Sequence, residues 1–199
     1  FLRLAEHARD PTFLVQAHAL FGNTSLFQGQ LTLTRTHVEQ GIALYNSQRD
    51  ESRNFLFQGL DPGVFCLSRA AQVLWLLGYP AQALQRSHEA MTLARELSHP
   101  LLLAWAVDFG ALIHRLRGEE QHTQERTEEA IAVACEYGFT HVVADATTLR
   151  GWALVEQGQE EGIAQMRQGL AAMQATGVEL FRSHFLALLA EVHGRSGQI

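Results

Sequence analysis

The residues of this chain with chemistry to offer are ten histidines, two cysteines, paired glutamates and three tryptophans. A helix-borne metal site is most simply built from His-x3-His or Glu-x-x-His, which sets two ligands on one face. No such pair is expected to build a site here. His18 and His37 fall in different helical patterns, and His114 and His122 straddle a turn. No metal site and no cofactor are expected. Cys66 and Cys135 lie far apart within helical patterns and read as buried, reduced thiols. Cys66, Ser68 and Ser87 lack the strand-to-helix elbow or helix-entry context that activates a nucleophile. All 15 basic residues are arginine, which removes both a phosphate-loop lysine and a Schiff-base lysine. Glu119-Glu120 and Glu160-Glu161 open helical patterns, where carboxylates suit the positive end of the dipole. The expectation is a chain with no catalytic residues.

Composition narrows the class further. A formal charge of −6 does not favour nucleic acid, whose binding needs a basic patch to displace counterions. No apolar run reaches the roughly 20 residues of a membrane-spanning helix, and no signal peptide is visible. A cytoplasmic protein is expected. With 47% hydrophobic residues, the 199-residue chain can build a continuous core.

The elements that position these side chains follow from a repeat. Gly78, Gly118, Gly158 and Gly197 stand at steps of 118−78 = 40, 158−118 = 40 and 197−158 = 39 residues. Each lies between two helical patterns, as in Trp75-Leu76-Leu77-Gly78-Tyr79-Pro80. Such a fixed period marks a repeat architecture of helix hairpins. Residues 1–9 then end a preceding repeat, and 11–45 form the first complete one. An irregular insertion at 46–60 follows. Further repeats cover 61–97, 100–138 and 140–177, and a truncated one covers 179–199. The chain starts without methionine and is expected to be a fragment of a larger protein, comprising one repeat domain. Ends cut within repeats are expected to leave apolar faces and to favour self-association.

Columns of small residues support this register. Seven residues before Gly29, which closes the first pair, and before each later turn glycine stand Gly22, Ala71, Ala111, Gly151 and Ala190. The second helix of each pair carries Thr34, Ala83, Thr123 and Gly162, then Gly41, Ala90, Ala130 and Gly169. Small side chains let antiparallel helices approach closely. Gly151 and Gly162 each forgo about 1 kcal/mol of helix propensity, so close packing is their expected compensation.

This pattern is similar to the tetratricopeptide (TPR) repeat, stretched from 34 residues to about 40. Gly41-Ile42-Ala43-Leu44-Tyr45, Asp61-Pro62-Gly63-Val64, Leu74-Trp75-Leu76-Leu77-Gly78-Tyr79-Pro80 and Leu149-Arg150-Gly151-Trp152-Ala153-Leu154 carry a closer likeness. They resemble the C-terminal TPR-like region of large bacterial signalling ATPases. Those proteins are often fused to class III adenylate/guanylate cyclase or protein kinase domains and resemble MalT-type regulators in layout. The resemblance implies an all-α, right-handed superhelix (α-α solenoid) of helix hairpins. It marks scaffold positions, so no cyclase, kinase or ATPase activity is carried over to this chain.

In such a stack the first helix of each pair lines the concave side. Counted from the small column, that face takes Asn23, then Ser68, Gln72 and Trp75, then Trp105, Asp108 and Arg115. It continues with Asp145, Thr148 and Trp152, and ends with His184 and Glu191. Indoles among polar groups suit recognition of a peptide or a polar ligand. The expected function is a non-catalytic scaffold that binds a protein segment, or another domain of its own chain, and regulates an attached signalling effector. The alternative is a sensor holding a small-molecule inducer near Trp75, Trp105 and Trp152.

Overall fold

Tyr45 and the stretch Asp61-Pro62-Gly63-Val64 show how local sequence becomes architecture. The Asp61 carboxylate accepts from the Val64 amide at 2.9 Å and caps a helix whose first residue is Pro62. Its other oxygen accepts from the Tyr45 hydroxyl at 3.0 Å. A Cβ on Gly63 would lie 2.6 Å from the Tyr45 ring, so only glycine admits that ring here. Two of the phrases that carry the family resemblance are therefore one contact, a tyrosine of one hairpin clamping the capping aspartate of the next. Burial pushes the Asp61 carboxyl up, against the hydrogen bonds from Val64, Tyr45 and Gly63, which draw it down. Tyr45→Phe strips a donor from this buried carboxylate. It should cost about 1–3 kcal/mol in urea denaturation; an unchanged midpoint would mean that the hydroxyl contributes nothing.

A computed structural model describes residues 2–8, 10–47, 61–177 and 179–195. Among these the secondary structure is entirely helical, in ten helices. They are α1 (Leu2–Ala8), α2 (Pro11–Phe27), α3 (Leu31–Ser47), α4 (Pro62–Leu76), α5 (Pro80–Glu96), α6 (Pro100–Leu116), α7 (Glu120–Tyr137), α8 (Thr140–Glu156), α9 (Glu161–Thr176) and α10 (Arg182–Arg195). The described chain is all-α and built of helix pairs. Of the insertion expected at 46–60, Asn46 and Ser47 extend α3, and the remainder lies outside the described residues. None of the described helices is long and apolar enough to cross a membrane.

The described chain gathers into two units, residues 1–102 and 103–199. In the first, α2 pairs with α3 and α4 with α5, while α3 also packs on α4. Val15, Val38, Ala70, Val73, Ala83 and Ala94 make its core. Arg86 of α5 spans to Glu39 of α3 at 2.8 Å and to Glu89 at 2.7 Å. In the second unit α8 pairs with α9, α7 packs on α8, and α10 contacts both α8 and α9. Its core includes Ala111, Leu149, Ala153, Met166, Met173 and Leu188.

The small columns are contact points. Gly151 of α8 and Gly162 of α9 face one another, each lying against the other's carbonyl, and Gly169 lies against Thr148. Ala83, Ala111, Ala130, Thr34 and Thr123 are likewise buried. Ala190 is exposed. Gly78, Gly118 and Gly158 close the turns within pairs with φ between 71° and 85°, a region costly for residues bearing a Cβ. Between pairs, Gly138 and Gly177 do the same, with Ser98 at φ 51° in the equivalent place 40 residues before Gly138.

The cysteines divide. Cys66 is buried against Gly41, and burial raises its thiol pKa, with Asp61 and Glu39 adding to the rise. Cys135 is an exposed free thiol on α7, which corrects the expectation that both are buried.

Candidate functional site

In the second unit α6 and α8 each open a hairpin, α10 follows them, and side chains from all three meet in successive layers. The first layer pairs Trp105 with His141: the indole N–H donates to His141 Nε2 at 2.8 Å. Burial lowers the His141 pKa, which fits a neutral ring offering that lone pair. Next come Asp108 and Asp145. Burial raises the Asp108 carboxyl well above the ordinary range, and the charge of Asp145 raises it further. Burial likewise pushes Asp145 up to about 7. Asp108 Oδ1 is shielded from solvent and has no hydrogen-bond partner. Phe109 stands edge-on to Trp105 and to Phe181.

The third layer is cationic at its centre. The Arg115 guanidinium lies 5.6 Å from the Trp152 ring centroid and 3.5 Å from Glu191. Burial lowers the Arg115 pKa, Glu191 and Glu156 raise it, and Arg195 lowers it. Glu156 pairs with Arg195. His184 is held below its usual pKa by burial and then by Arg115. This face thus presents a carboxyl pair one helical turn from Trp105, then a guanidinium on the Trp152 indole. Buried carboxyls this close cannot both ionise cheaply; one takes up a proton, or a guest cation takes its place.

The pair makes stability depend on pH with a definite sign. An Asp145 pKa raised from 3.8 to about 7 means that between those values the folded chain keeps a proton the unfolded chain has released. Stability is therefore lost as pH rises through that window, at about 1.4 kcal/mol per pH unit for one retained proton. Urea titrations of wild type and Asp145→Asn should diverge in the variant's favour toward pH 7. Parallel profiles would contradict the assignment.

Of the remaining residues expected on the groove, Thr148 and Trp152 are placed differently. Thr148 is fully buried, its hydroxyl donates to the Ala144 carbonyl at 3.0 Å, and it packs on Gly169 of α9. It holds the hairpin together and lines no groove. Trp152 is only 6% exposed and belongs to the core, with one face turned to Arg115. In the first unit Ser68 is buried and donates to the Val64 carbonyl at 2.9 Å. Gln72 is buried beside Arg69, whose Nη1 donates to Gln72 Oε1 at 2.7 Å. The Arg69 guanidinium also lies over Phe27 and Phe65, and burial lowers its pKa to about 10. Asn23 and Trp75 are half-buried.

Sequence reasoning missed Arg69, His141, Phe109 and Phe181. His141 sits one turn before Asp145 on α8, ten residues before Gly151. It also missed a convergence of metal-ligating groups: His114, Glu119 and His122 offer ligand atoms all within 4.8 Å of one another. The two histidines that straddle a turn in sequence are thus brought together with Glu119 by that turn. The signal was Glu119-Glu120-Gln121-His122, two donors three residues apart, onto which the turn folds His114.

A cavity of about 710 Å³ lies in the first unit, lined by Ile42, Tyr45, Leu67, Arg86, Glu89 and Leu93 among others. Trp75 is not part of its lining.

Comparison with known proteins defines the class as TPR-like helical repeats. The fold matches aspartyl phosphate phosphatase F from Bacillus subtilis with a TM-score of 0.72, at 16% identity, over 90% of this chain and 45% of that one. It matches a putative kinesin light chain of nearly identical TPR-like repeats from Podosopora anserina with a TM-score of 0.62, at 14% identity, over 94% and 98% of the two chains. No family model matches. In sequence, the chain is 21% identical over 193 residues to an uncharacterized protein of Rhizobium meliloti (strain 1021), covering 96% of itself and 19% of that protein. The chain thus spans about a fifth of that relative and under half of the phosphatase.

Proposed function

We propose that this chain is a protein-interaction scaffold whose α6–α8–α10 face takes a segment carrying a cationic group. The observation that carries this reading is the buried Asp108–Asp145 pair one turn from Trp105, with Asp108 Oδ1 lacking a partner. A guanidinium or ammonium would satisfy that oxygen, restore charge to both carboxyls and stack on the indole. Arg115 on Trp152 then offers a place for a carboxylate or backbone carbonyl farther along the same segment. Structural neighbours built from TPR-like repeats agree with an interaction module. As the motif resemblance implies, the bound segment belongs to a signalling protein, or to another domain of the same chain, and binding regulates an attached effector.

Selection of random peptides on the purified chain tests this. Bound sequences should be enriched in Arg or Lys. The Asp108→Asn/Asp145→Asn double variant should keep its fold by circular dichroism and bind at least about tenfold more weakly, the loss of one charge-assisted contact. Absence of basic enrichment, or equal binding by the variant, would overturn the proposal. The inducer-sensor alternative draws support from the cavity beside Tyr45 and Arg86, whose volume suits a small molecule. A ligand seated there should be insensitive to Asp145→Asn and sensitive to Arg86→Ala.

A further inference from the structure

The turn between α6 and α7 gathers three ligating side chains outside the face described above. His114, in the last turn of α6, is 5% exposed. Glu119 precedes α7, and His122 lies in its first turn and is exposed. His114 Nδ1 and Glu119 Oε2 are 2.6 Å apart, and the rings of His114 and His122 stack with centroids at 5.2 Å. Glu119 occupies the N-cap position but makes no capping hydrogen bond. Its carboxylate turns back to His114, and Arg117 Nε donates to its other oxygen at 2.7 Å.

We infer that His114, Glu119 and His122 form a binding site for one divalent transition-metal ion of the zinc, cobalt or nickel type, clasping the α6–α7 turn. Two imidazoles and one carboxylate are the donor set such ions take, whereas magnesium and calcium prefer all-oxygen sites. The present spacing is close to what a metal needs. Bonds of about 2.0–2.1 Å in a tetrahedron place ligand atoms about 3.4 Å apart. The His114–Glu119 pair opens by less than an ångström, and exposed His122 swings in. The ion takes the place of the proton between His114 Nδ1 and Glu119 Oε2, and that proton passes to Nε2 or to water. Arg117 orients the carboxylate from outside, as an outer-shell partner does, leaving Oε2 for the metal. Solvent reaches the site from the His122 side, so water completes the coordination. The bound ion pins the end of α6 to the start of α7.

Cobalt(II) titrated into the purified chain at neutral pH, followed by visible d–d absorption, tests the inference. One ion per chain should bind, and zinc, which favours four-coordinate sites of imidazole and carboxylate, should displace it. His122→Ala and Glu119→Gln should each weaken binding by at least about 10–100-fold, the range that even outer partners of a metal command. His122 is exposed, so that variant retains its fold, which a circular dichroism melt verifies. Exposed His88→Ala should change nothing. His18 and His37, with Nδ1 atoms 2.9 Å apart, are the competing imidazole pair. Absence of a saturable band in the wild type at millimolar cobalt would overturn the site. So would a band that survives His122→Ala and disappears in His37→Ala.

Discussion

Gly151→Leu should destabilise the protein by about 3 kcal/mol or more. Two effects oppose each other at this position. Leucine is the better helix former by about 0.8 kcal/mol, which favours the variant. Against it, a Cβ at Gly151 would lie 2.6 Å from the Gly162 carbonyl oxygen and 2.6 Å from the Met166 amide nitrogen. Both are backbone atoms of α9 and cannot turn aside. α8 and α9 must separate along their contact, losing packing around Met166, Leu149 and Ala153. Overpacking costs 1–3 kcal/mol where side chains can yield, and more where backbone must move. Gly194 supplies the control: a Cβ there meets nothing within 4 Å. Gly194→Ala should raise stability by up to about 1 kcal/mol. If Gly151→Leu melts at the wild-type temperature, the column of small residues is not a packing column.

Trp152→Ala should cost about 3–5 kcal/mol, the range for removing a large buried aromatic. The indole is almost fully enclosed and belongs to a cluster with Ala111, Leu149, Met166 and Leu188. Trp105→Ala should cost clearly less, because Trp105 is half-buried and its main loss is the hydrogen bond to His141. Urea denaturation of the two variants separates these roles. A Trp152→Ala protein of wild-type stability would return that residue to the groove. The same substitution removes the platform beneath Arg115, so a surviving fold should show altered pairing with Glu191, readable in the salt dependence of stability.

Helical pairs, their spacing and their turns were legible in the residues themselves. Backbone conformation at a turn is a local property: Gly78, Gly118 and Gly158 adopt positive φ because a residue without Cβ does so at little cost. Asp61 caps its helix for an equally local reason, its carboxylate reaching an amide three residues ahead. The small columns were legible too, since Gly151 and Gly162 defy helix propensity and so announce a close contact.

Direction around a helix was only partly legible. Thr148 and Asp145 lie three residues apart on α8 and both fell on the expected face, yet Thr148 packs on Gly169 while Asp145 meets Asp108 of α6. A hairpin contact and an open face are separated by a rotation smaller than the roughly 100° step between adjacent helix residues. Counting from one reference column cannot resolve that. His141 escaped for a related reason, because whether a side chain one turn farther along α8 reaches Trp105 depends on how far α8 is displaced along α6.

The sequence by itself determined what depends on neighbours in the chain: the period near 40 residues, the turns, the caps and the points of closest helix approach. Tertiary structure alone decided which polar groups share a low-dielectric space. The raised carboxyls of Asp108 and Asp145, Arg115 on Trp152, and the meeting of His114 with Glu119 and His122 all arise between helices or across a turn. Charge interaction and ligand geometry change steeply over an ångström, and only packing fixes distances that finely.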